Sequence, residues 1–126
     1  MRPIDVRELA DAATNDPEFR REMRYFTGTL KLTVGDEEYL FDFDDGTLNN
    51  AHTGKKKDDS CEIFVKGSKD HWENILARYP KPFYHSLQTS VVKHGLKMST
   101  TNYTFAYLPA LNRLTDIMRD LNNREK

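Results

Sequence analysis

Apolar residues recur along the chain first at helical spacing, then at every second position, then at helical spacing again. From Ile4 to Ala13, the residues Ile4, Leu9 and Ala12 or Ala13 fall at roughly helical intervals behind Asp5, which is placed to cap a short amphipathic helix. Asn15-Asp16-Pro17 then supplies a cap followed by proline at a first helical position, where its missing N–H costs nothing, and Glu18 complements the helix dipole. Phe19, Met23 and Phe26 continue that second helix as a stripe that must pack on something, and Gly28 is the expected stop. Leu30, Leu32 and Val34 alternate with Lys31 and Thr33, so Thr29 to Val34 reads as a strand, turning at Gly35-Asp36. The answering strand, Glu38 to Phe43, sets Tyr39, Phe41 and Phe43 on one face, with Leu40 out of pattern. The two make an antiparallel hairpin with one buried side.

After an Asp45-Gly46 turn, Thr47 to His52 is a third strand against which Asn49 and Asn50 argue by β-propensity. Thr53 to Ser60, with Gly54 and five consecutive charges, reads as a solvated surface loop. Cys61, Ile63 and Val65 share a face of a fourth strand, and Gly67-Ser68 leads into a helical segment, Lys69 to Tyr79, that carries Trp72, Ile75 and Leu76. Pro80 and Pro82 forbid helix there. Helix is expected to resume over Phe83 to Val92, followed by a fifth strand at Leu96 to Ser99. A closing helix from near Asn102 buries Leu111, Leu114, Met118 and Leu121, with Pro109 either kinking it or opening its main part. The sum is an α+β domain: a single five-stranded, mainly antiparallel sheet covered on one face by helices. One domain is expected over 1–126, with N-terminal helices in 1–27 and the sheet and helix core in 28–121.

Composition narrows the function. The net charge of −1, from 19 basic and 20 acidic residues, removes the counterion-release attraction on which bulk nucleic-acid binders rely. The basic run Lys55 to Lys57 is followed at once by Asp58-Asp59, so its field is cancelled within a Debye length. A lone cysteine, Cys61, excludes an internal disulfide, and its strand setting suits a small buried hydrophobe. The charged stretch Met1 to Asn15 has no signal-peptide core, and no apolar run approaches the ~20 residues that cross a bilayer, so no stable membrane insertion is expected. Arg124-Glu125-Lys126 differs from the Ser-Lys-Leu peroxisomal address, which leaves cytoplasm as the expected compartment.

Motif chemistry is sparse. Asp42, Asp44 and Asp45 beside Gly46 suggest calcium, but an EF-hand loop needs glycine sixth and glutamate twelfth, whereas Gly46 is fifth from Asp42 and Thr53 is twelfth. His52, His71, His85 and His94 sit on separate elements without an i, i+4 pair, so no metal is expected. His85 and His94 flank the apolar helix near Tyr84 and Tyr103, a place for proton transfer only with a reacting atom in reach. No nucleophile elbow, triad order or glycine-rich phosphate loop occurs; each glycine stands alone at an element boundary, and no cofactor is expected. The remaining inventory is apolar, and it describes a lipid-lined pocket and a dry core equally well until volume is known.

The order of elements, with Asp59, Cys61, Ile63, Trp72, Leu76, Gly95, Leu96, Lys97, Met98, Leu111 and Leu114, resembles the sterol carrier protein 2 family over roughly Thr29 to Leu121. That family has an Asp-Cys-x-Ile strand, a short helix, an apolar helix, a Leu-Lys-Ile-type strand and a helix ending Leu-x-x-Leu. The Gly-Asp that usually follows its last strand is replaced here by Thr100, Thr101 and Asn102. The resemblance implies the same layout and a hydrophobic ligand, such as a fatty acyl, sterol or terpenoid-like molecule, between sheet and C-terminal helices. Carried over by position, the wall is Phe83, Tyr84, Leu87, Val91, Met98, Phe105, Leu108 and Leu111, with Trp72 and Leu76 adjoining. Related domains also occur joined to catalytic domains in larger bacterial proteins. The alternative is therefore a noncatalytic accessory subunit of a catalytic partner protein, meeting it through Lys55 to Asp59 or Pro80 to Pro82. A small enzyme using His85, His94, Tyr84 or Asp42 comes third.

Overall fold

Alternation of small and large apolar residues draws the first hairpin together. The strands β1 (Gly28–Val34) and β2 (Glu37–Asp44) pair antiparallel with Leu30 opposite Phe41 and Leu32 opposite Tyr39, so their core faces coincide. The computed structural model describes residues 1–124; Glu125 and Lys126, the last two residues of the C-terminal tripeptide weighed above, lie outside them. Strand β3 (Thr47–Thr53) extends the hairpin through Asp45-Gly46, and Asn49 and Asn50 are tolerated because the strand is an edge and both are exposed. Asp45 and Gly46 both have positive φ, as a tight hairpin turn requires. A side chain at Gly46 would meet Arg24 Cα at 3.0 Å, because the turn docks on the segment leading into β1.

The strand order is β3-β2-β1-β4-β5, in which β4 (Ile63–Gly67) and β5 (Lys97–Met98) complete a five-stranded sheet. β4 runs parallel to β1, with Ile63 beside Leu30 and Val65 beside Leu32, and the other pairings are antiparallel. The sheet is thus mixed but mostly antiparallel. Its core face carries Leu30, Leu32, Val34, Tyr39, Phe41, Phe43, Ile63 and Val65, all buried.

Helices close that face. α1 (Val6–Thr14) is capped by Asp5 and buries Leu9 and Ala13. α2 (Pro17–Glu22) is capped by Asp16 and ends earlier than expected, because Tyr25 takes a positive φ; Gly28 opens β1 instead of closing the helix. The closing helix divides into α5 (Asn102–Ala106) and α6 (Leu108–Asn122), with Pro109 in the first turn of α6, the second of the two outcomes the sequence allows. α6 buries Ala110, Leu111, Leu114, Ile117, Met118 and Leu121 in one continuous core with the N-terminal helices.

Arg113 of α6 holds α2 by a two-pronged contact to Asp16: Nε to Oδ2 at 2.9 Å and Nη2 to Oδ1 at 2.7 Å, while Oδ2 also accepts from the Phe19 N–H at 2.8 Å. The Arg113 guanidinium, aided by that cap bond, outweighs burial and lowers the Asp16 pKa below its ordinary 3.8. A lowered carboxylate stabilises the fold above its unfolded value, and that contribution disappears as pH falls through the lower folded value. Asp16→Ala is expected to cost about 2–3 kcal/mol at neutral pH, the loss of a cap and a charge-assisted fork. In urea unfolding the deficit should shrink below about pH 3; a deficit that does not change with pH would show that Asp16 acts through packing alone.

The reverse face departs from expectation. Thr29, Lys31, Thr33 and Leu40 point away from the helices yet are buried; the surface segment from Gly54 to Ser60 keeps Lys55, Lys57, Asp59 and Ser60 exposed while it lies over Thr29, Lys31 and Leu40. Lys31 Nζ donates to the Lys56 carbonyl at 2.6 Å and pairs with Asp58 at 2.5 Å and Glu38 at 3.2 Å. Lys56 Nζ donates to the Thr29 hydroxyl at 2.9 Å, and that hydroxyl donates to Asp42 at 2.8 Å. Asp42 is thus engaged in this polar clasp; among the described residues no cluster suited to a metal occurs.

Candidate functional site

The expected wall residues come from α3 (Lys69–Ile75), the segment 76–86, α4 (Leu87–His94), β5, α5 and α6. Ser68 caps α3: its hydroxyl accepts from the His71 N–H, while His71 Nδ1 accepts from the Ser68 N–H at 3.1 Å. With Nδ1 an acceptor, the His71 proton sits on Nε2, which donates to the His94 carbonyl at 2.7 Å and ties α3 to the end of α4. Trp72, the next residue, is fully buried and its indole N–H donates to the Thr33 carbonyl at 2.9 Å. The close approach needs Gly67, where a Cβ would stand 2.6 Å from Leu96 Cδ1 and 3.1 Å from Trp72 Nε1.

Both flanking helices are shorter than the sequence predicts. α3 stops at Ile75 and not Tyr79, and α4 starts at Leu87 and not Phe83, because Ser86 caps it. Residues 76–86 form an irregular bridge pinned to α4. His94 Nε2 donates to the Pro82 carbonyl at 3.0 Å, and the His94 ring stacks on Tyr84 at 3.6 Å with 4° between planes. Asn112 of α6 accepts from the Leu87 N–H at 3.0 Å, and its amide donates to Gln88 at 2.9 Å. Gly95, with φ +76, closes α4 and brings Leu96 under it, its N–H bonding the Ser90 carbonyl.

This framework brings Trp72, Leu76, Tyr84, Leu87 and Leu111 together in the buried core, with Val91, Met98 and Leu108 partly buried against it. Phe83 and Phe105 stand outside that layer, 49% and 61% exposed. The layer is close-packed. A small space of about 30 Å³, room for a water or two, lies at its N-terminal end, lined by Ile4, Leu9, Leu76, Met118 and Leu121. A roomier groove of about 360 Å³ lies away from the expected wall, between Ala13, Phe19, Phe43 and Leu48.

His71 and His94 spend their ring N–H groups on carbonyls, so both act as fasteners here. His85 is exposed. Cys61 is buried, and burial pushes its thiol pKa up, the opposite of an activated thiolate. The positioning roles of His71 and Asn112 escape sequence reading: Ser68-x-x-His71 has capping-box spacing, but histidine replaces the usual Glu or Gln, and nothing local marks Asn112.

No protein-family model matches the chain, and none of the curated proteins matches it. Among solved structures it is similar to a crystal structure of sterol carrier protein 2, at TM-score 0.72 and 15% identity, covering 91% of this chain and 93% of that one. The fold is that of sterol carrier protein 2. The same sterol-carrier-like fold relates the chain to a conserved hypothetical protein of Thermus thermophilus with a suggested sterol-carrier assignment (TM-score 0.61, 16% identity, 94% and 90% covered). It also relates the chain to UbiJ-SCP2, a ubiquinone synthesis protein (TM-score 0.53, 11% identity, 90% of each chain covered). Among the described residues no helix of this sterol-carrier-like fold is long and apolar enough to cross a membrane.

Proposed function

We propose that this chain, acting as one domain in the cytoplasm, binds or carries a hydrophobic small molecule of fatty acyl, sterol or terpenoid type between its sheet and C-terminal helices. The observation that carries this reading is the apolar layer Trp72, Leu76, Tyr84, Leu87 and Leu111 in a sterol-carrier-like fold, rimmed by Val91, Met98 and Leu108. A bound lipid-like molecule needs a pocket of roughly 300 Å³ or more, so the closed arrangement must open by displacing side chains. The irregular bridge 76–86 and five-residue α5 are the parts to move, since short or irregular pieces open at the least cost. Phe83 and Phe105, one on each of these pieces, join the wall when it opens.

Titration with a fluorescent fatty acid, read through quenching of Trp72, is expected to saturate at one ligand per chain. Flat titrations with fatty acyl, sterol and terpenoid probes alike would refute the reading.

A second reading, a noncatalytic subunit of a larger catalytic complex, draws on the similarity to a ubiquinone synthesis protein. It requires a catalytic protein that co-purifies at fixed stoichiometry, and a lone monomer holding lipid would count against it. Neither reading gives any side chain a reacting role.

A further inference from the structure

Charge is unevenly distributed. Between Glu73 and Asp116 there is no acidic residue, while Lys81, Lys93 and Lys97 occur there, beside Arg113, which is paired with Asp16, and Arg78, which shares a hollow with Asp116 and Asp120. Within this stretch Tyr79, Phe83 and Val92 are exposed at 85%, 49% and 77%. Phe83 is held there at φ +68, a conformation that costs a bulky L-residue energy and persists only where its surroundings impose it. They do so here: the Phe83 carbonyl lies 3.1 Å from the Thr89 hydroxyl and 3.2 Å from the Ser90 hydroxyl, while prolines stand at 80 and 82. Lys93 Nζ sits 5.2 Å from the Phe83 ring, and Val92 is its neighbour on α4. Lys93 also lies in the last turn of α4, where it complements the helix dipole, but that role explains neither the strained, uncovered ring nor exposed Lys81.

We propose that the Phe83 knuckle, with Val92, Lys81 and Lys93, is a docking surface for an anionic lipid membrane. The sign of the charge fits the cytoplasmic leaflet, where each Lys or Arg near the surface adds attraction. The apolar groups are single and interleaved with cations. A headgroup region accepts that arrangement, taking the ring to shallow depth while lysine stems lie along it with their charges in water. A protein partner needs a continuous patch of roughly 800 Å² on each side, which isolated side chains do not offer. Along the chain the nearest acids are Glu73 on α3 and Asp116 on α6. The proposal does not depend on carriage: it concerns the closed arrangement, in which Phe83 faces out, and vesicle binding is read without any ligand.

The full-length chain is expected to co-sediment with vesicles of phosphatidylcholine and phosphatidylserine, to leave pure phosphatidylcholine vesicles in solution, and to be released by raised salt. Lys81→Ala with Lys93→Ala should lower the partition coefficient roughly 25-fold, at about fivefold per cation. Phe83→Ala should lower it roughly tenfold and Phe83→Trp should preserve it, as loss and retention of one inserted ring require. All the altered side chains are exposed; an unchanged Trp72 emission spectrum verifies folding of the alanine variants, and circular dichroism verifies that of Phe83→Trp, which adds a second indole. Equal binding to both vesicle types, or wild-type binding by Phe83→Ala or by the Lys81→Ala, Lys93→Ala variant, would overturn the proposal. So would absence of vesicle binding, whether or not an acidic protein is then found to bind Phe83 and Lys93.

Discussion

Trp72→Ala is expected to destabilise the fold by about 3–5 kcal/mol, the range for removing a large aromatic side chain from a close-packed site. Two losses combine. The indole is fully buried, so a cavity opens between α3, β1 and β4, and the Thr33 carbonyl loses its donor from that side. Trp72→Phe helps to separate them: it keeps much of the volume while removing the N–H with part of the indole, so roughly 1–2 kcal/mol should remain. Urea unfolding followed by circular dichroism, which does not depend on the lost fluorophore, measures both. Equal costs for the two variants would mean that the hydrogen bond, and not the filled volume, anchors α3 to the sheet. Because Trp72 also stands in the proposed ligand wall, a stability effect of this size must be measured before any binding loss in Trp72→Ala is attributed to the ligand.

The second large effect is expected on the opposite face of the sheet. Removing both negative charges from the Lys31 clasp, with Glu38→Gln and Asp58→Asn, should cost about 3–5 kcal/mol, because a buried ammonium is left without a counter-charge. Adding Lys31→Met should recover most of that loss, since an apolar side chain of similar length needs no partner. Burial alone pulls the Lys31 pKa down, but hydrogen bonds and charges from Asp58 and Glu38 more than offset it, and the pKa is raised above the usual lysine value of 10.5. Burial pushes the Glu38 pKa up, and the Lys56 N–H, Lys31 and Lys55 reverse that, leaving it below 4.5. Lysine's contribution is therefore present below its unfolded value and lost as pH rises past the raised one. Glutamate's is present above its unfolded value and lost as pH falls past the lowered one. The clasp should hold fully from about pH 5 to about pH 10, weakening on either side, so wild type should lose stability relative to the triple variant at both extremes. A triple variant as unstable as the double would show that the loss comes from the bonds Glu38 and Asp58 make, and not from an unpaired Lys31 charge.

These predictions rest on features legible to very different degrees. The α+β layout was readable because its signals are local. The alternation of Leu30, Leu32 and Val34 against Tyr39, Phe41 and Phe43, the Asp45-Gly46 turn, and the caps Asp5, Asp16 and Ser68 all act within a few residues of themselves. The lengths of α3 and α4 were not readable, because Phe83 and Tyr84 continue an apolar helical pattern while their backbone obeys Ser86 and contacts from Thr89, Ser90 and His94. Phe83 and Phe105 entered the expected wall by position in the family resemblance, and the structure leaves both side chains exposed. Periodicity tells which residues share a helical face, not whether the residue is in that helix or whether its face meets anything.

From sequence alone come the five strands and their faces, the capped helices, the lack of catalytic or metal motifs, and the apolar residues available for a wall. Each follows from propensity, turn chemistry or spacing over a few residues. The parallel pairing of β1 with β4, the strap that buries Lys31 beneath Asp58, and the Asn112 and His71 fastenings were decided only in three dimensions. Tertiary structure also chose the close packing of Trp72, Leu87 and Leu111 and the outward knuckle at Phe83. The reason is common to all of them. Partners such as Lys31 and Asp58, or Leu87 and Asn112, are tens of residues apart, and whether two distant groups meet depends on where the whole chain places them, which no local pattern encodes.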